Sequence, residues 1–178
     1  MPERWPFPGA DGTEFSDPEH WIMAFLDELS QNEDAPSPEV RERVREVLTM
    51  AAQRSAGART RVFVLFEGWD GPAFVVEALV QPEEVLGTRS LEEFAGVDDP
   101  TQLGPAYVEP FRTESGVGGV LCIRYLPFDE HGIVYGRLDY VFHAEGQVLT
   151  LSGGELDLVD FERLKTHMAA LAASVVLL

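Results

Sequence analysis

The stretch Val120–Ser152 reads VLCIRYLPFDEHGIVYGRLDYVFHAEGQVLTLS, and its turns decide the fold. Runs rich in branched and aromatic residues, Val120–Phe128, Ile133–His143 and Val148–Ser152, are separated by Asp129-Glu130-His131-Gly132 and by Glu145-Gly146. Both separators have turn composition. If each is a tight hairpin connection, counting back from it sets a register. The first places Phe128 against Ile133, Ile123 against Leu138 and Leu121 against Tyr140. The second places Phe142 against Leu149 and Tyr140 against Leu151. The counts are independent and agree: Leu121, Ile123, Leu138, Tyr140, Phe142, Leu149 and Leu151 share one face. An antiparallel sheet with that face apolar follows.

Working outward, Tyr107–Thr113 adds a strand ahead of this meander, with Gly116-Val117-Gly118-Gly119 as the turn between them. Ser152-Gly153-Gly154 reads as the turn that ends the last strand. Asp157 then caps a helix through Phe161, Leu164, Met168, Leu171 and Ala172. Upstream, Arg61–Glu67 and Ala73–Val80 flank Gly68-Trp69-Asp70-Gly71-Pro72 and predict a hairpin. Ser90 caps a short helix, and Asp98–Pro105 is a loop. Two helices precede the hairpin. Ser16-x-x-Glu19 fits a capping box, with Pro18 in the first turn and Trp21, Ile22, Phe25, Leu26 and Leu29 at helical spacing. Ser37-Pro38 opens the second helix, with a stripe of Val40, Val44, Val47, Leu48 and Ala51 and a stop at Gly57.

These elements predict an α+β fold: a twisted antiparallel sheet of about six strands with two N-terminal helices and a C-terminal helix packed on it. The expected organisation is a single domain over 1–178. Residues 1–15 form an extended arm pinned by Trp5, Phe7 and Phe15, 16–58 a helical part, and 59–178 the sheet with its C-terminal helix.

The formal net charge is −18 over 178 residues, and the only lysine is Lys165. Such a field repels phosphate backbones and anionic lipid, so neither nucleic acid nor a membrane is an expected partner. Cys122 is the only cysteine, which excludes an internal disulfide and a CxxC pair. Residues Met1–Gly12 are polar and proline-rich and lack the pattern of a signal peptide. A cytoplasmic location is the expectation.

No metal site is expected: His20, His131, His143 and His167 fall in no ligand spacing. The Gly116–Gly119 run lacks the following helix that a phosphate loop needs, and no Gly-Lys-Ser/Thr completes it. Neither a cofactor nor a catalytic residue is predicted. Cys122, opposite Asp139, points away from the apolar face and reads as a small cysteine under a helix.

The second face of the late hairpins sets Arg124 opposite Arg137, with Asp139 diagonal to Arg124 and Tyr135 and His143 on the same face. Like charges directly opposite are unfavourable, so the pair needs an explanation. One reading is a site for an anion or carboxylate, on a ligand or a partner protein, lined by Arg124, Arg137, Asp139, Tyr135 and His143. The other is an internal network tying the arginines to Asp139 and to acidic residues from the helices.

From Arg61 to the C-terminus the chain resembles Mog1/PsbP-like domains. The residues that carry the likeness are Gly119-Val120-Leu121-Cys122-Ile123-Arg124-Tyr125, Gly136-Arg137-Leu138-Asp139-Tyr140-Val141-Phe142 and Leu171-Ala172-Ala173-Ser174-Val175. The two N-terminal helices are an addition to that pattern. The resemblance implies a binding or accessory module, so a non-enzymatic protein-binding role is expected. The alternative is an NTF2-like fold, whose curved sheet would line a pocket for a small ligand or a reaction. A homodimer could form through the apolar tail Val175–Leu178 or an unpaired sheet edge.

Overall fold

The computed structural model describes residues 7–8, 14–15, 17–31, 36–54, 60–68, 71–129 and 131–176. In order, the elements are β1 (Phe7–Pro8), β2 (Glu14–Phe15), α1 (Pro18–Ser30), α2 (Pro38–Arg54), β3 (Thr60–Phe66), β4 (Ala73–Pro82), a 3-10 turn (Glu83–Val85), α3 (Leu91–Phe94), β5 (Tyr107–Arg112), β6 (Gly118–Pro127), β7 (Val134–Ala144), β8 (Gln147–Glu155) and α4 (Leu158–Ala173). The protein is α+β, with a six-stranded antiparallel sheet in the order β3-β4-β8-β7-β6-β5. By its contacts the chain divides into two compact units, Met1–Val75 and Val76–Leu178.

In the first unit β1 and β2 pair antiparallel, Phe7 opposite Phe15. Trp5 lies outside the described residues, as do Ser16 and Gly57. The cap of α1 is Asp17: its Oδ1 accepts from the Glu19 amide at 2.9 Å and its carbonyl accepts from Trp21 N. Pro18 therefore takes the first helical position, where its missing N–H is no loss. Ser37 caps α2, accepting from the Val40 amide. The core joins Ile22 and Leu26 of α1 to Val44, Leu48 and Ala52 of α2, with Val64 and Phe66 of β3 against them.

In the second unit the predicted register holds at each pair derived from the turns. Ile123 lies opposite Leu138, Leu121 opposite Tyr140, Phe142 opposite Leu149 and Tyr140 opposite Leu151. The Phe128 amide donates to Ile133 O at 2.8 Å. Glu145 and Gly146, at φ 53° and 73°, supply the two positive φ angles of a type I′ turn. Fully buried Phe161, Leu164, Met168 and Ala172 make up the core-facing stripe of α4.

The two glycine-rich stretches differ from expectation. β8 runs on through Ser152-Gly153-Gly154 to Glu155, and β6 begins at Gly118, so Gly118 and Gly119 are strand, not turn. Close approach explains Gly119, Gly153 and Gly154, whereas a Cβ on Gly118 would meet open space. A Cβ on Gly153 would stand 2.5 Å from Met168 Sδ, and one on Gly154 2.4 Å from Tyr135 Oη. A Cβ on Gly119 would meet Val141 O at 2.5 Å, and one on Gly136 would meet the Phe161 ring at 2.7 Å. Glycine lets α4 sit close to β7 and β8.

The opposite face of these strands is also covered. Val120, Cys122, Val141 and Val148 are buried with Ala95, beneath Leu91 and Phe94 of α3 and Val85 and Leu86. Burial on both faces explains the unbroken buried runs Val120–Arg124 and Leu138–Phe142. Tyr140, with its phenol enclosed, has a pKa pushed up to about 12, by burial first and then by Glu109.

Two substitutions should move stability in opposite directions. Gly136→Ala forces a methyl into the Phe161 ring and should cost about 1–3 kcal/mol. Glu145→Asn relieves a positive φ and should add roughly 0.5–1 kcal/mol. Urea unfolding midpoints at unchanged m-value test both; equal midpoints for all three proteins would refute this account of the packing and the turn.

Candidate functional site

Three of the five predicted site residues meet around one carboxylate. Asp139, on β7, is 2% exposed and lies opposite Cys122 of β6 and Ser152 of β8. Arg124 Nη2 donates to Asp139 Oδ2 at 2.6 Å. Arg137 approaches as a fork, Nε to Oδ2 at 2.9 Å and Nη2 to Oδ1 at 3.0 Å. The Ser152 hydroxyl donates to Oδ1. Three donor groups thus saturate a buried carboxylate, which is what a buried charge requires.

The arginines differ in exposure. The Arg124 side chain is 8% exposed and also reaches out of the sheet, Nη1 donating to Asp99 Oδ2 at 3.0 Å. Asp99 is held in place by Thr101, whose amide and hydroxyl both donate to its Oδ1. Those bonds, ahead of the nearby guanidinium groups, hold the Asp99 pKa below the usual carboxylate value. Room for the Arg124 guanidinium comes from Gly96, at φ 89°, where a Cβ would stand 2.3 Å from Nη1. Nε of Arg124 is buried without a hydrogen-bond partner among the described residues. Arg137 is 39% exposed. Its pKa is raised, chiefly by the hydrogen bonds to Asp139.

The other two predicted residues, Tyr135 and His143, sit at other positions along β7. Tyr135 lies one row beyond Arg137 on the same face, its hydroxyl over Gly154 and its ring 6.5 Å from Phe128. His143 lies towards the other end of β7, where its Nε2 is 2.8 Å from Glu83 Oε2. Cys122 is fully buried, and burial raises its thiol pKa, so it is a poor nucleophile. Among the described residues, no group of three or more His, Cys, Asp or Glu could hold a metal ion.

No protein-family model, curated protein or solved structure matches the chain.

The arrangement is therefore interpreted from its own chemistry. Arg124, Arg137, Asp139 and Asp99 sum to zero formal charge, and the buried guanidinium already bonds two carboxylates. Asp99 is the member that the sequence pattern did not bring in. Its acidic side chain comes from the loop after α3, whereas helices were the expected source. An Asp-x-Thr spacing, with Thr101 closing on Asp99, is the local sign that this carboxylate is held rather than free.

Elsewhere, in the first unit, a groove of about 470 Å³ is lined by Ile22, Met23 and Ala52 with Asp17, Arg45 and Thr49 among its polar groups. None of the predicted site residues lies there. Among the described residues no helix is long and apolar enough to cross a membrane.

The network makes a graded prediction. Asp139→Ala leaves a buried guanidinium short of one partner and should cost about 3–5 kcal/mol. Arg137→Met leaves Asp139 its bonds from Arg124 and Ser152 and should cost less, about 1–3 kcal/mol. Guanidinium chloride unfolding tests the ranking, and a larger loss for Arg137→Met than for Asp139→Ala would contradict it.

Proposed function

We propose that the chain is a non-enzymatic protein-binding or accessory module that works in the cytoplasm. The observation that carries this reading is the filling of both faces of β6, β7 and β8. Phe161, Leu164 and Met168 occupy one face and the α3 segment covers the other. A sheet-lined pocket, as an NTF2-like binder or enzyme would need, has its space taken by these side chains. The internal engagement of Arg124 and Arg137 points the same way, since guanidinium groups already bonded to Asp139 and Asp99 have less to offer a substrate.

The resemblance to Mog1/PsbP-like domains supports the same role, because such domains serve mainly as binding modules. A single buried thiol, Cys122, suits a reducing compartment. The charge of −18 favours a protein partner with a basic surface over nucleic acid or anionic lipid.

Thermal-shift measurements against a panel of metabolites at millimolar concentration should leave the melting temperature within about 1 °C, since nothing binds the folded form selectively. Affinity capture from the source cells should retain a protein in stoichiometric amount. A saturable metabolite shift that Arg137→Met abolishes would overturn the module reading in favour of a ligand site.

A further inference from the structure

The groove of about 470 Å³ in the first unit runs between α1 and α2. Arg45 Nη2 lies 3.2 Å from Met23 Sδ, and Arg41 Nη2 lies 3.9 Å from Asp27 Oδ1. The helices are therefore antiparallel, and the same count brings Glu19 level with Thr49. On α2 the lining residues Arg45, Thr49, Ala52 and Gln53 recur on one helical face, over about 12 Å at 1.5 Å per residue. The groove is thus elongated along the helix axes. Its floor is apolar: Ile22 and Ala52 are each 5% exposed. Its rim is polar, with Asp17, Glu19, Arg45 and Thr49 exposed. An apolar centre inside a polar rim is the layout of a protein interface.

The charges on the rim are weakly engaged. Arg45 has a thioether as its nearest acceptor and the Glu42 carboxylate at 4.0 Å. A thioether is a weak acceptor, whereas Arg124 and Arg137 bond Asp139 at 2.6 Å and 2.9 Å. At the other end, Asp17 spends Oδ1 on the helix cap and turns Oδ2 to His20 Nδ1 at 3.4 Å. The Glu19 side chain stands exposed beside it. The groove therefore has a cation at one end and carboxylates at the other. Met23, 38% exposed, adds a flexible side chain that can adapt to an incoming group.

Two helices lying side by side present a groove that takes the side-chain ridge of a third. Residues one turn apart on such a helix stand about 5–6 Å from each other, so a floor of this length seats two apolar side chains. A second copy of this chain is a poor occupant, because its charge of −18 repels at long range.

We propose that the groove between α1 and α2 docks an amphipathic helix of a partner protein. Its apolar side chains lie over Ile22 and Ala52, a carboxylate meets Arg45, and Lys or Arg meets Asp17 and Glu19. This docking rests on the module reading and gives it a surface and a partner class.

The test uses the full chain and labelled designed peptides. The first is a basic helix with leucines on one face, a glutamate at one end of that face and lysines at the other. The second has the same composition scrambled, and the third has the glutamate replaced by glutamine. Fluorescence anisotropy should show the first binding at least about tenfold tighter than the scrambled peptide. Thr49→Trp and Thr49→Arg, which fill the groove from its exposed rim, should each lose at least about tenfold. Arg45→Gln should weaken the first peptide about threefold and leave the glutamine peptide unchanged, whereas a bulk-charge effect would strengthen both. All three variants should match wild type in circular dichroism and melting temperature. Equal affinity for the scrambled peptide, wild-type binding by both Thr49 variants, or a dimer that Thr49→Trp dissolves would overturn the proposal. So would a saturable melting shift with decanoate that Thr49→Trp removes, since the groove would then belong to a small amphiphile. If the protein captured from cells still binds Thr49→Trp, the groove is the wrong surface and the module reading stands. A metabolite shift abolished by Arg137→Met would instead remove that reading.

Discussion

The second unit depends on how it buries a carboxylate. Asp139 sits at the centre of β7 with neighbours on both sides, Cys122 on β6 and Ser152 on β8. A charge at such a position is tolerable only if its oxygens are fully engaged. Arg124, Arg137 and Ser152 supply the donors, each from a position the strand pairing fixes. The directly opposed arginines, unfavourable by themselves, become a means of holding β6 to β7 once Asp139 lies between their charged ends. Arg124 extends the arrangement outward by reaching Asp99, which ties the loop after α3 to the sheet. That reach needs Gly96 for space and the Ser90–Glu93 capping box to start α3 in the right place.

A second constraint comes from thickness. Both faces of β6, β7 and β8 are covered, so α4 on one side and the α3 segment on the other must sit close to the backbone. Gly136 and Gly153 admit the Phe161 ring and the Met168 thioether, and Gly154 admits the Tyr135 hydroxyl. The glycines thus act through absent volume, while φ is decisive at Gly96 and at the Glu145-Gly146 turn. The cost is a strand with weak intrinsic propensity at the end of β8, offset by what α4 buries there.

These two constraints explain which parts of the architecture were legible in the sequence. Alternation and two short turns were enough for the register of β6, β7 and β8, because a one-residue slip would have moved Leu121, Leu138 and Leu151 together to the wrong face. The α+β class, the helices and the Ser37, Ser90 and Asp157 caps followed from local chemistry. Gly153-Gly154 misled because glycine marks turns and close approaches alike, and the sequence does not say what lies above a strand. The cap of α1 was set one residue early for a related reason: Ser16 and Asp17 are both good cap residues, and the Pro18 position settles between them only once the first helical bond, Trp21 N to Asp17 O, is located. At the site, Arg124, Arg137 and Asp139 were legible from register alone. Asp99 was not, since its contact spans residues whose separation no periodicity connects, and His143 was grouped with the arginines because a shared face does not imply a shared place along a strand.

The fate of the arginines also shapes the outer surface. Arg124 is spent inside the fold, and Arg137 directs its fork onto Asp139, so neither contributes a free positive field. What faces solvent beside them is more acidic than a count of charges by segment would suggest. The network thus acts outside the core as well as within it: by turning Arg124 and Arg137 onto Asp139, the fold removes two cations from the solvent-facing side of β6 and β7 that the sequence alone would have placed there.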